Sequence, residues 1–143
     1  YLEFANILVR YGADATIPSH DDGFSPLTFA SARHTSRMLQ HLLKAYKIEN
    51  RYIDADTPDE HDRTALMLCA LHMQDYDDEL VRWLLELGAD VNARLPNNDG
   101  TALHLLAKRG MWTDTIFGHP DADFTAVNKS GSTLILIVQT LIH

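Results

Sequence analysis

Two stretches of the chain are near copies of each other: residues 83–93 read WLLELGADVNA, and residues 7–17 read ILVRYGADATI. A second motif recurs around Leu27, Leu66, Leu103 and Ile135, at intervals of 39, 37 and 32 residues. Self-similarity with a period of this size is the sequence signature of a repeat protein, in which each unit is one supersecondary element. We therefore predict that the chain is a stack of similar units.

The apolar residues of each unit fall on one face of a helix. Positions i, i+1, i+4 and i+5 are apolar in FANILV at 4–9, MLQHLL at 38–43 and LVRWLL at 80–85. Hydroxyl side chains precede a second set of helices as N-caps, namely Ser25, Thr64, Thr101 and Thr133, and Pro26 takes a first helical position. Left-handed glycines, Gly12 and Gly88, end the first set. Each unit is therefore a predicted pair of short antiparallel helices, which must stack to bury its apolar surface.

The order of these motifs resembles the ankyrin repeat, whose pattern runs roughly DxxGxTPLHxA and then a helix ending in LLxxGADVN. The resemblance is closest in TALH at 101–104 and LLELGADVN at 84–92, and it extends over essentially the whole chain. It implies an all-α ankyrin repeat solenoid of stacked helix-turn-helix units with short β-turn fingers.

The expected domain is a single one over residues 1–143. Its units are a partial repeat 1–19, repeats 20–58 and 59–96, a degenerate repeat 97–127 and a partial repeat 128–143. Because both end repeats are incomplete in this pattern, we expect a fragment of a longer ankyrin repeat protein.

Three irregularities interrupt the pattern. The segment 74–79 is expected to lengthen the loop before the helix that contains 80–85. The segment 44–58 is expected to lengthen the turn after the helix that contains 38–43. In the degenerate repeat, Gly118 and Pro120 should cut the second helix short. We expect that repeat to be the loosest part of the structure.

Composition argues against several classes of function. The net charge of −8 disfavours nucleic acid and anionic membranes as partners. The apolar run 134–138 is too short to cross a bilayer, so no membrane insertion is expected. A single cysteine, Cys69, excludes an internal disulfide framework and is expected to be buried and inert. An intracellular location, in the cytoplasm or nucleus, is the expectation.

Candidate chemical motifs all have a simpler structural interpretation. The Asp- and Asn-rich stretches at 21–23, 97–100 and 128–131 fail the ligand spacing of a calcium loop and are typical of tight turns. His104 is interpreted as a structural hydrogen-bonding residue, and the histidines beside carboxylates at 20–22 and 59–63 as solvated turn residues. No nucleophile, metalloprotease or phosphate-binding motif occurs. We predict a protein that is not an enzyme and that has no cofactor and no metal.

The resemblance implies that a partner binds the concave face, which is built from finger tips and first helices. The positions that correspond to this face are Asp21, Asp22, Phe24, Arg33, Glu60, His61, Arg63, His72, Asn98, Asp99, Lys108, Arg109 and Lys129. Phe24 is expected to be exposed there. Acidic residues crowd the early fingers and basic residues come late, which suggests a basic or zwitterionic peptide segment as partner. The alternative is that these charges only make the surface soluble.

Three functions remain open at this stage. The first is a non-catalytic protein–protein interaction module that binds another protein or peptide. The second is a regulatory or targeting segment of a larger multidomain enzyme or signalling protein, where the partners are neighbouring ankyrin repeats or domains. The third is a structural spacer. Fold by itself does not choose among them.

Overall fold

The computed structural model describes residues 2–33, 35–73, 78–97 and 100–142. Eight helices lie in these ranges: α1 (Leu2–Arg10), α2 (Pro26–Ala32), α3 (Ser36–Ile48), α4 (Ala65–His72), α5 (Asp78–Glu86), α6 (Ala102–Lys108), α7 (Asp114–Phe117) and α8 (Leu134–Ile142). The described part contains no sheet, and its one isolated β-bridge pairs Arg94 with Thr101. The all-α prediction is confirmed.

The helices form two layers. An inner layer consists of α2, α4, α6 and α8, each of which packs against the next. An outer layer consists of α1, α3, α5 and α7 in the same order, and α2 and α4 also pack against the outer helices that follow them, α3 and α5. Each helix pair therefore contacts mainly its neighbours along the stack, as in a solenoid.

Local capping fixes where the inner helices begin. The Ser25 hydroxyl accepts the N–H of Thr28 at 3.2 Å, and Pro26 is the first residue of α2. Equivalent bonds run from Met67 N–H to Thr64, and from Leu136 N–H to Thr133, each at 3.4 Å. These bonds satisfy N–H groups that have no partner within the helix, so the predicted starts of α2, α4 and α8 are confirmed.

Left-handed residues end the outer helices. Gly12 and Gly88 have φ values of +93° and +89°, as predicted from their positions after α1 and α5. At the end of α3 the left-handed residue is Asn50, with φ +49°. The expectation that 44–58 lengthens the turn is wrong in its first part, because residues 44–48 continue α3 to a length of thirteen residues. Asn tolerates the left-handed region, so it ends this longer helix where other units have glycine.

The core is a continuous apolar strip along the two layers. Its fully buried side chains include those of Leu27, Leu39, Leu66, Leu84 and Leu103. The Cys69 side chain is buried in the same cluster, as predicted. The motif residues of three successive units, Leu27, Leu66 and Leu103, are thus buried by stacking, whereas the fourth motif residue, Ile135, is 62% exposed.

The degenerate unit is shortened as predicted. Its outer helix, α7, has four residues, ends at Gly118 and is anchored by the fully buried Ile116. The looser packing expected for this unit stays a prediction. The longer loop expected over 74–79 falls mostly on residues 74–77, which lie outside the described residues, while 78 and 79 already belong to α5.

Candidate protein-binding surface

Four short fingers connect each outer helix to the next inner helix. We define finger one as residues 19–24, finger two as 59–63, finger three as 95–100 and finger four as 128–132. A backbone hydrogen bond closes each finger, and it joins the N–H of its first residue to the carbonyl of its last, at 3.0, 2.9, 2.6 and 3.1 Å respectively. In fingers one, two and four, the closed loops hold the tip residues in place.

Finger one is held together by Asp22. Its carboxylate accepts the Ser19 hydroxyl and the Phe24 N–H, and these bonds, with Ser19 as the larger cause, keep the pKa of Asp22 below its ordinary value. Gly23 next to it has φ +67°, and a Cβ there would lie 2.1 Å from the Glu60 side chain of finger two. Asp22 therefore shapes the finger, while Asp21 is exposed at the tip.

Finger two is built around a buried ion pair. The Asp59 side chain is 1% exposed and lies 2.7 Å from the Arg63 guanidinium. Burial by itself raises the pKa of Asp59, but hydrogen bonds from the Arg63 side chain and from the N–H groups of Arg63 and His61 outweigh it, so the pKa is lowered. At the tip, Glu60, His61 and Asp62 are exposed. The Arg63 guanidinium is thus bound to Asp59 within its own finger.

Aromatic rings and arginines link the early fingers to α2. The rings of Phe24 and Phe29 meet edge to face at 6.4 Å. The Arg63 guanidinium lies 5.9 Å from the Phe24 ring, and that of Arg33 lies 5.6 Å from the Phe29 ring. Phe24 is consequently half-buried, and the expectation that it is exposed is wrong. These contacts align the first two fingers beside the inner layer.

The late fingers are also aligned by contacts between neighbours. Arg94, just before finger three, donates to the carbonyl of Val127, just before finger four, at 3.0 Å. The Asn128 side chain accepts the N–H groups of Ser130 and Ser132, which leaves Lys129 exposed at the tip. The predicted finger three residues, Asn98 and Asp99, lie outside the described residues.

Arg109 is exposed at the end of α6, as predicted, and it also bonds to the preceding unit. Its guanidinium donates to the carbonyls of Ala70 at 2.7 Å and Leu71 at 2.9 Å, and also to that of Met73. These carbonyls lie at the C-terminal end of α4, where backbone acceptors lack partners within the helix. The side chain therefore joins two inner helices. The neighbouring Lys108 remains exposed, as does His72 at the last position of α4.

His104 bridges two units. Its Nδ1 accepts the N–H of Thr101 at 3.2 Å, and its Nε2 lies 3.1 Å from the carbonyl of Ala126. Since the residue is buried and both nitrogens have partners, the structural interpretation is confirmed. In the described ranges no group of three His, Cys, Asp or Glu side chains is placed to hold a metal ion.

These contacts partly bury two predicted residues, Phe24 and Arg63, and leave the other described ones exposed. We define the finger face by the exposed charged and histidine side chains at the tips and inner-helix ends, which are His20, Asp21, Asp22, Arg33, Glu60, His61, Asp62, His72, Lys108, Arg109 and Lys129. Asp62 was missed by the sequence interpretation because it aligns with the finger glycines. Its φ of +58° explains that alignment, because it takes the left-handed conformation of Gly23 and Gly131.

The two helical layers and the aligned fingers define a helical repeat solenoid. A family model described as ankyrin repeats, in three copies, matches residues 1–95. The chain therefore belongs to the ankyrin repeat family, and α6 and α8 continue its inner layer beyond the matched range. No curated protein matches the chain.

Ankyrin repeats are generally non-catalytic modules that bind other proteins. Among the described residues, none of the helices combines the length and the apolar character needed to cross a membrane.

Proposed function

We propose that this chain is a protein–protein interaction module whose partner binds along the finger face. The observation that carries this proposal is the alignment of the fingers by contacts between neighbours, Glu60 against Gly23 and Arg94 to Val127. Such contacts preorganise fingers one and two as one pair and the bases of fingers three and four as another, and preorganisation lowers the entropic cost of binding. Together with the family's general role in binding proteins, this supports recognition by the finger face.

The charges of this face favour a basic segment at fingers one and two. Asp21, Glu60 and Asp62 are exposed there, whereas the only arginine of these fingers, Arg63, is paired with Asp59. Because Asp59 and Arg63 cancel each other, the charge that finger two exposes is that of Glu60 and Asp62. Opposite charge on a partner would speed association and fix its register.

A charge-change experiment tests the proposal. The double variant Asp21→Arg and Glu60→Gln changes two exposed tips, keeps the length of the side chain that packs against Gly23, and leaves the Asp22 and Asp59 bonds in place. The matched control, Asp121→Arg and Glu86→Gln, makes the same charge changes at exposed positions away from the finger face. Partners captured from a cell extract are identified by mass spectrometry, and the purified partner is then titrated against all three folded proteins at low and high salt.

We expect the finger variant to weaken binding about tenfold at low salt, and the difference to shrink as salt is added. The control should bind like the wild type. Equal affinity of the finger variant and the wild type would reject the charge preference. If variants that remove both the size and the charge of the exposed finger side chains also bind the partner like the wild type, the partner binds another surface.

A second candidate is a regulatory or targeting segment of a larger protein. The observation that favours it is the exposed apolar surface on α1 and α8, where Phe4 is 65% and Ile142 74% exposed. Further parts of a larger protein would cover these faces. Protection of Phe4 and Ile142 from oxidative footprinting in the longer protein, compared with the chain 1–143, would support this role.

A further inference from the structure

Most charged side chains of the finger face lie in two rows. We define the acidic row as the exposed carboxylates of fingers one and two, which are Asp21, Asp22, Glu60 and Asp62. We define the basic row as the exposed basic residues at the C-terminal ends of the inner helices, which are Arg33, His72, Lys108 and Arg109. Each finger leads into the N-terminus of an inner helix, so the two rows lie at opposite ends of these helices.

The charge of the finger face therefore changes across the stack. The order of residues in the sequence, acidic early and basic late, predicts a change along the stack instead. In the structure, however, Arg33 and His72 belong to the same two units as the acidic fingers. In the described residues the acidic row covers fingers one and two, and finger four carries Lys129. This arrangement also suits the dipoles of the inner helices, which favour acids near the N-terminus and bases near the C-terminus.

The length of the inner helices sets the width between the two rows. The helices α2, α4 and α6 have seven, eight and seven residues, which corresponds to about 10–12 Å. The side chains of these helices that are partly exposed are all apolar, namely Pro26, Phe29, Ala32, Leu71 and Leu105. An α-helix with its side chains is also about 10–12 Å across, so a helix that lies along the stack reaches both rows at once.

The spacing within each row favours a helix over an extended strand. Packed helices lie about 8–10 Å apart, so equivalent residues of successive units repeat at about this interval along the face. In an α-helix, residues seven apart lie on nearly the same edge at about 10.5 Å, with a drift of about 20° per heptad. In a strand, residues on one edge are about 6.6 Å or about 13 Å apart, and neither distance matches the units.

We propose that the partner presents an α-helix with one basic edge and one acidic edge, and that this helix lies along the finger face. The basic edge contacts the acidic row, and the acidic edge contacts the basic row. An apolar strip between the edges covers the partly exposed side chains of the inner helices. Complementary charge on both edges fixes the direction in which the helix lies. This inference rests on the proposed function and adds the conformation and the second edge of the partner.

Two synthetic peptides of identical composition serve as probes. Both are alanine-based, carry one leucine per heptad over three heptads, and are held helical by the same side-chain cross-link. The two-edged peptide has Lys on one side of the leucines and Glu on the other side, each repeated every seven residues. The mixed-edge peptide alternates Lys and Glu along each side. Circular dichroism establishes equal helix content, and fluorescence anisotropy at low salt measures the Kd for the chain.

Variants of the chain test each row separately. Lys108→Glu reverses one charge of the basic row. Lys44→Glu makes the same change at an exposed position of α3, in the outer layer, and serves as the matched control. The double variant Asp21→Arg and Glu60→Gln alters the acidic row. Circular dichroism establishes that each variant is folded before the peptides are titrated.

We expect the two-edged peptide to bind the wild type about tenfold more tightly than the mixed-edge peptide. Lys108→Glu should weaken its binding about fivefold and the acidic-row variant about tenfold, whereas Lys44→Glu should bind like the wild type. Equal affinity for the two peptides, no binding of the two-edged peptide, or no effect of Lys108→Glu overturns the inference. If the acidic-row variant nevertheless loses the partner captured from a cell extract, recognition by the finger face stands and only the two-edged helix is wrong.

Discussion

Asp56 and Asn92 occupy equivalent positions in successive turns, but only the Asn92 side chain both accepts and donates a hydrogen bond. Asn92 accepts the N–H of Asp123 at 2.8 Å through Oδ1 and donates to the carbonyl of Asp121 at 2.7 Å through Nδ2. Asp56 accepts the N–H of Asp90 at 2.9 Å in the same way and has no donor to add. The turn that contains Asn92 is thus joined to the next turn by two side-chain hydrogen bonds, whereas the turn that contains Asp56 is joined by one.

The ionised form of Asp56 is also disfavoured in the fold. Burial raises the pKa of Asp56, the hydrogen bond from Asp90 N–H opposes this, and the nearby carboxylates of Asp90 and Asp54 raise it further. The net pKa lies above the ordinary value of 3.8. A protein that contains an acid whose pKa is higher in the folded chain than in the unfolded chain loses stability as the pH rises from the unfolded to the folded pKa, and the loss is complete above the folded pKa.

We predict that Asp56→Asn stabilises the protein at neutral pH. The amide keeps the bond to Asp90 N–H, removes the charge, and adds a donor for the carbonyl of Gly88, which corresponds to Asp121 in the next turn. A gain on the order of 1 kcal/mol is expected from one added hydrogen bond. The free energy of unfolding in urea measures it. Asp121→Asn, which removes an equal charge from an exposed side chain, should change little.

The pH dependence of this gain provides a separate check. The advantage of Asp56→Asn over the wild type should be smallest below pH 3.8, where the wild-type carboxyl is protonated in both states. It should grow as the pH rises through the folded pKa and stay constant above it. A gain that is independent of pH would mean that charge plays no part.

At the scale of elements, two arginines join successive units of the stack. Arg51, which follows α3, donates to the carbonyls of Val9 at 2.9 Å and Ala13 at 2.8 Å, at the end of α1. Arg109, which follows α6, does the same for the end of α4. Tyr46 strengthens the first of these joints, because its hydroxyl accepts the N–H of Ala15 at 2.6 Å. The ends of α1 and α4 are therefore each capped by an arginine from the next unit.

We predict that Arg109→Ala lowers the free energy of unfolding by on the order of 2 kcal/mol, the range for losing hydrogen bonds from a charged donor. Arg109→Lys should recover part of the loss, since an ammonium still favours a helix C-terminus but cannot reach several carbonyls in a fork. Lys108→Ala removes an exposed cation next to it and serves as the control. Equal effects of Arg109→Ala and Lys108→Ala would show that only charge matters here.

The helix boundaries could be predicted because their signals are local. Ser25 and Thr64 bond to an N–H three residues ahead, and Gly88 acts through its own φ angle. The length of α3 could not be read in the same way, because the residue that ends it is Asn50 rather than glycine. The sequence therefore offers no glycine to mark the end of this helix.

The candidate site was predicted less completely because its assignments depend on distant partners. The prediction missed the structural bonds of Arg109, because its carbonyl partners lie 36 to 39 residues earlier in the chain. Phe24 was taken as exposed because its covering group, Arg63, belongs to the next finger. Exposed tips such as Asp21 and Lys129 were identified correctly, since their exposure depends only on the finger itself.

At the scale of the whole molecule, stability should vary along the stack. The helix α4 has α2 and α6 on its two sides and α5 behind it. The four-residue α7 is held by few backbone bonds, such as Phe117 N–H to Thr113 and Gly118 N–H to Asp114. In a one-dimensional array, a unit with weak internal structure opens independently of its neighbours.

We predict that the backbone amides of α7 exchange with deuterium about 100-fold faster than those of α4, through local opening of the degenerate unit. Exchange measured by mass spectrometry on peptides that cover 65–72 and 113–119 tests this. The comparison with α6, which belongs to the same unit but lies between α4 and α8, is the internal control. Equal protection of α7 and α4 would mean that the stack unfolds as one cooperative body.

The arginine caps also bear on how the chain folds as it is synthesised. The carbonyls at the end of α1 await Arg51, and those at the end of α4 await Arg109, which emerge from the ribosome 38 and 39 residues after Ala13 and Ala70. Chains fold during synthesis from the N-terminus at the pace of translation. The ends of α1 and α4 therefore stay uncapped in the nascent chain until these arginines emerge, and each of these two joints can form only after the next unit has been synthesised.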